Sequence, residues 1–204
     1  MPQYWDDLIT AESWSVLQKF NTQYRFTLIG GWAVYVYTLG LKSRDIDIIV
    51  DYKTLSQLKN DFTVNKNERL KKYEIKEMKF DVDIYLPHYS NPGLPAEDVI
   101  AETQEKDGFC VPKIELLLII KQTVFKKRQG SIKGEKDKLD IFSLLQRDIN
   151  FALYKKLLEK YAVPNLRDEL IALLHSANVL QEIGLSNHKF AQLKKRVLAG
   201  LQNG

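Results

Sequence analysis

Three aspartates are placed to do chemistry. Asp45 and Asp47 lie in Asp45-Ile46-Asp47-Ile48-Ile49-Val50-Asp51, and Asp83 lies in Lys79-Phe80-Asp81-Val82-Asp83-Ile84-Tyr85-Leu86. In an extended segment side chains alternate faces, so Asp45 and Asp47 are expected to point one way while Ile46, Ile48 and Val50 face a core. Two carboxylates about 7 Å apart on one strand face repel each other unless cations lie between them. A pair of Mg²⁺ ions roughly 4 Å apart suits such a pincer. In the second segment Phe80, Val82 and Ile84 fill one face, and Asp81, Asp83 and Tyr85 share the other. Asp81 and Asp83 therefore compete for the place of a third carboxylate, and Asp83 is preferred because the stronger apolar context follows it. Alone, Asp-x-Asp on a strand is more often a solvated face. The Gly30-Gly31 pair upstream and the third aspartate downstream turn the reading towards metal.

The elements that must position these groups follow from periodicity. Apolar residues at helical spacing predict a helix over residues 5–20. A strand over 26–29 follows, broken at Gly30-Gly31, then a helix over 32–39 and the first acidic strand over 46–50. Residues 52–60 read as a short helix. Residues 61–77 are polar with weak alternation and read as one irregular strand, and 79–86 read as a clean strand. Pro87, Pro92, Gly93 and Pro95 predict that 87–107 is mostly loop, with a short strand over 109–111. From Pro112 the period changes from two to 3.6. Helices are expected over 113–128 with Pro112 at the start, 136–146, 151–161, 166–183 and 188–201, with 130–134 as a turn and Ser186 as a plausible N-cap. An α/β domain over 1–112 followed by a helical domain over 113–204 is the expected organisation.

Composition narrows the class. With 204 residues, 45% of them hydrophobic, the chain can bury a sizeable core. A net charge of +4 permits nucleic-acid contact without arguing for it. The one cysteine, Cys110, rules out an internal disulfide framework and fits a reducing compartment. The opening residues carry early acids, unlike a signal peptide, and no uncharged run approaches 18 residues, so a soluble, cytoplasmic protein is expected. His88 and His175 lack metal-ligand spacing, and Trp14, Trp32 and Tyr37 sit at core-like positions.

Gly30-Gly31, a helix, Asp45-x-Asp47 and Asp83 together resemble the nucleotidyltransferase superfamily that includes DNA polymerase beta and the minimal nucleotidyltransferases. Pro112-Lys113-Ile114-Glu115-Leu116-Leu117 leading to Lys121, then Arg128, then Lys136-Asp137-Lys138-Leu139-Asp140-Ile141, is similar to the nucleotidyltransferase-like proteins of toxin–antitoxin systems, including the abortive-infection type IV toxins. The resemblance covers residues 26–146. It implies an α+β fold: a small mixed-sheet nucleotidyltransferase core with flanking helices, then a helical domain. It implies Mg²⁺-dependent transfer of NMP from an NTP to a hydroxyl on RNA, protein or a small molecule. Asp45 and Asp47 would bind two Mg²⁺ ions, and Asp83 the one that activates the acceptor. Gly30 and Gly31, opening a helix, would hold the β- and γ-phosphates. Gly31 stands where the family usually has serine, so Ser43 and Arg44 are candidates for the missing hydroxyl or charge. Lys121 would face phosphate, with Lys136 and Asp137 at the cleft. An antitoxin or a second copy is the implied partner. A catalytically weak nucleotide- or partner-binding module is the alternative, motivated by Gly31.

Overall fold

Strands that alternate apolar with acidic residues bury one face, and here two of them form the interior of a five-stranded sheet. The computed structural model describes residues 7–177 and 181–203. Its N-terminal unit, residues 3–113, carries helix α1 (Asp7–Gln23), strand β1 (Thr27–Ile29), helix α2 (Gly30–Thr38), strand β2 (Ile46–Ile49) and helix α3 (Tyr52–Asp61). Strands β3 (Val64–Asn67), β4 (Lys72–Ile75) and β5 (Val82–Tyr85), helix α4 (Ala96–Ile100), and strands β6 (Thr103–Lys106) and β7 (Phe109–Pro112) follow. The sheet order is β1-β2-β5-β4-β3, with β2 and β5 parallel and the other pairs antiparallel. Ile46, Ile48, Val82 and Ile84 are fully buried on the central pair. Trp14 and Trp32 pack with ring centroids 4.9 Å apart, and the Trp32 indole donates to Ser13 Oγ at 3.0 Å, which satisfies its buried N–H.

The C-terminal unit is helical from residue 114 onwards: α5 (Ile114–Arg128), α6 (Ile132–Leu145), α7 (Phe151–Lys160), α8 (Asn165–Ser176), a 3₁₀ turn (Gln181–Ile183) and α9 (Asn187–Asn203). Asn150 and Ser131 cap α7 and α6 by accepting from Leu153 N and Gly134 N, each at 3.0 Å. Ser186 does the same for α9 at Lys189 N.

Several sequence expectations are corrected. Residues 61–77 form a hairpin, β3 and β4, rather than one irregular strand. Its turn carries no Gly or Pro: Asn67 Oδ1 accepts from Leu70 N at 3.0 Å and Lys71 takes φ 48°. Within 87–107, expected as loop, Glu97 and Asp98 open α4, and β6 pairs with β7 across an Asp107-Gly108 turn with φ 49° and 80°. Pro112 ends β7 instead of starting a helix. Gly134, expected in a turn, lies in the first turn of α6. The helix expected over 166–183 stops at Ser176, where Ala177 is extended (φ −72°, ψ 135°). Trp5 and residues 178–180 of two expected helices lie outside the described residues.

Candidate active site

Strand register brings two of the three aspartates together. Asp47 on β2 is the direct partner of Asp83 on the parallel strand β5, and Asp83 is in turn the partner of Glu74 on β4. Asp47 also faces Ile29, the last residue of β1, immediately before the Gly30 start of α2. Three acids thus stand in a row across three strands, and the chain turns into a helix beside the first. Tyr85, two residues after Asp83, donates to Asp47 Oδ1 at 3.4 Å. Asp81 is exposed and precedes β5.

Gly30 is required at that corner. It sits at φ 67°, and a β-carbon there would collide with Asp47 Oδ2 and come within 2.7 Å of Asp47 Cγ. The residue before it, Ile29, offers no side-chain cap to the N-terminal N–H groups of α2. Backbone donors therefore open beside the Asp47 carboxylate. Gly30→Ala is expected to lower stability by roughly 1–3 kcal/mol, read as a shifted denaturant midpoint.

The electrostatics of the pair are strained. Burial, then the Asp47 charge, push the Asp83 carboxyl up to about 7, against the opposing pull of Lys72. Asp83 Oδ1 is buried and accepts no hydrogen bond. A buried acceptor without a donor, next to a second carboxylate, fits a cation. Among the described residues, however, no three His, Cys, Asp or Glu side chains form a group that could hold a metal ion. The inner pair suited to Mg²⁺ is Asp47 with Asp83. Because folded Asp83 holds its proton more tightly than the unfolded carboxyl, its stabilisation is complete below the usual value near 3.8 and is lost as pH rises through about 7. Asp83→Asn is therefore expected to melt at a higher temperature than the wild type at pH 8 in EDTA. That gap should shrink towards pH 5 in scanning calorimetry.

Asp45 lies one residue ahead of β2 and works as a staple between segments. Its Oδ1 accepts from Asp81 N at 3.3 Å and stands 3.6 Å from Arg44 Nε, while Ile46 N donates to Asp81 O. Ser43 is buried and its hydroxyl donates to Asp45 O at 3.3 Å. Arg44 reaches Lys79 O at 3.0 Å. These contacts fix the entries to β2 and β5 relative to each other, which aligns Asp47 with Asp83. Gly31 is buried in the first turn of α2.

Lys121, Lys136 and Asp137 belong to the helical unit and meet one another there. Lys121 on α5 is buried, 3.3 Å from Asp137 Oδ1 and 2.7 Å from Asp140 Oδ2 on α6. Arg128 approaches Asp137 at 3.4 Å and Lys136 approaches Asp140 at 3.9 Å, so two buried acids are shared by three cations.

Sequence reasoning missed Lys72 and Glu74. Lys72 is nearly buried and bridges Asp83 Oδ2 at 2.6 Å and Glu74 Oε1 at 2.9 Å. Glu74 is buried, yet bonds from Lys76, Lys72 and Asn67 hold its carboxyl down to about 2. The available signal was the Lys72-x-Glu74 spacing, which places both on one strand face.

No protein-family model and no curated protein matches the chain. Among solved structures, a proposed nucleotidyltransferase from H. pylori is similar over 96% of this chain and 94% of its own, at 16% identity and TM-score 0.51. JHP933 from Helicobacter pylori is similar over 97% and 93%, at 15% identity and TM-score 0.51. An antigenic nucleotidyltransferase-like protein from Paracoccidioides brasiliensis aligns over 88% and 97%, at 17% identity and TM-score 0.43. At these identities the likeness is one of fold, and the α+β architecture with its C-terminal helices is that of the H. pylori proteins. Among the described residues no helix is long and apolar enough to cross a membrane.

Proposed function

We propose that the chain is an Mg²⁺-dependent nucleotidyltransferase that moves NMP from an NTP to a hydroxyl acceptor. The observation that carries this reading is the register of Asp47 with Asp83 beside the Gly30 helix start, where a β-carbon has no room. Asp47 and Asp83 would hold the ion. Bound Mg²⁺ supplies stabilisation of the negative charge that gathers on the phosphate oxygens. The protein's own part is to bind and orient. The N–H groups opening α2 at Gly30 and Gly31 hold the β- and γ-phosphates. Asp83 takes the proton of the attacking hydroxyl at its carboxylate. Arg44, beside Asp45, supplies positive charge to the triphosphate. The test is incubation of the full chain with labelled NTPs, Mg²⁺, and RNA, protein or small-molecule acceptors. Label in product that disappears with Asp47→Ala supports the reading, and no transfer to any acceptor defeats it.

The second reading, a catalytically weak nucleotide- or partner-binding module, is favoured by Gly31 in place of a serine and by the absence of a three-ligand group among the described residues. Mg²⁺-dependent NTP binding without transfer would establish it. The sequence likeness around Lys121 and Lys136-Asp137 further supports a toxin-like role with an antitoxin partner. In that case producing the chain arrests growth, and Asp47→Ala abolishes the arrest.

A further inference from the structure

Lys72 places a permanent positive charge inside the acid row. It comes from β4, its ammonium lies 2.6 Å from Asp83 Oδ2 and 2.9 Å from Glu74 Oε1, and the three side chains are 11%, 15% and 8% exposed. Glu74 cannot let it go easily, because the Glu74 carboxylate is itself fixed by Lys76 at 2.9 Å and Asn67 at 3.1 Å. Lys72 thus has an anchor on one side and the site carboxylate on the other. Of the two Asp83 oxygens, Oδ1 is buried and without a hydrogen bond, so it is the one left for another partner.

We propose that Lys72 is the resident counter-ion of this site: it occupies one oxygen of Asp83 in the nucleotide-free protein, so that a divalent cation binds weakly until a triphosphate brings its own negative charge. The inference rests on the metal reading of Asp47 and Asp83. A fixed unit charge within a few ångströms of a divalent ion opposes it strongly in a partly buried setting, since Coulomb energies there are several-fold larger than in water. The triphosphate reverses that balance by adding charge of the opposite sign, and the Lys72 ammonium is then free to pair with phosphate as well as with Glu74. Lys72 therefore acts through Asp83 as a positioning residue, and it couples metal entry to nucleotide entry.

The test is Mn²⁺ binding to the full chain followed by electron paramagnetic resonance at pH 8, first without nucleotide. Lys72→Met should bind Mn²⁺ at least tenfold more tightly than the wild type, and Lys72→Arg should resemble the wild type. Lys72→Gln keeps donors for both carboxylates without the charge; it should also bind tenfold more tightly, and it replaces Lys72→Met if that variant does not fold. Added non-hydrolysable NTP should tighten Mn²⁺ binding in the wild type by tenfold or more, and by less than threefold in the neutral variants. Neutral variants that are folded by near-UV circular dichroism yet bind Mn²⁺ no more tightly than the wild type would overturn the proposal. Asp47→Asn in the Lys72→Gln background separates the two ideas. If the tight Mn²⁺ site survives that change, the ion is not held by Asp47 and the metal reading itself falls.

Discussion

Replacing Asp47 by alanine is expected to abolish the proposed NMP transfer, by roughly 10³-fold or more, while leaving the fold in place. The expectation follows from where Asp47 stands. Its carboxylate is the meeting point of three features: the Asp83 partner across the parallel strands, the Tyr85 hydroxyl, and the Gly30 turn into α2. A loss of that size is about 4 kcal/mol of transition-state stabilisation, the scale of removing a preorganised charge at the reacting centre. The fold should survive because Asp47 is half-buried and faces away from the Ile46–Ile48 core side of β2. Removing its charge also relieves Asp83, so the variant should melt no lower than the wild type. Single-turnover label transfer alongside calorimetry checks both halves. Lost activity with retained melting marks Asp47 as functional, whereas full activity in Asp47→Ala would remove it from the site.

The largest stability effect is expected in the other unit. Lys121→Ala should cost about 3–5 kcal/mol, because it leaves Asp137 and Asp140 buried beside α5 without their central cation. Arg128 and Lys136 reach these acids only at 3.4 and 3.9 Å and replace the lost charge poorly. The pairing with Asp140 has a clear signature: Lys121→Met combined with Asp140→Asn should recover part of the loss, since Asp137 is then the one acid left short of its cation. Chemical unfolding of the single and double variants measures this. A single-variant loss below about 1 kcal/mol would mean that the cluster is wetter than its burial indicates.

The centre of the sheet was legible because its signals are local. The run Asp45-Ile46-Asp47-Ile48 carries period two, and the Gly30-Gly31 break and the change of period after Pro112 are read directly from the chain. The Asp107-Gly108 turn was equally local, yet the prolines before it suggested a loop and β6 was missed. The β3–β4 hairpin offered less, since its turn is made by an asparagine side chain and a left-handed lysine rather than by glycine. Its loss mattered, because β4 carries Lys72 and Glu74.

The sequence by itself determined which residues could act as acids, that they lie on strands, and that a glycine pair opens a helix just upstream. Alternation dictates face and glycine permits a left-handed corner, and both are properties of a few neighbouring residues. Only the tertiary structure decided which acids meet. Register across β2, β5 and β4 is a long-range choice: it pairs Asp47 with Asp83, leaves Asp81 outside the strand, and sets a lysine from a third strand against the carboxylate. Gly30 shows the same division. Its identity is plain in the chain, but the Asp47 side chain that forbids any other residue there is 17 positions away and reaches it only through the pairing of β1 with β2.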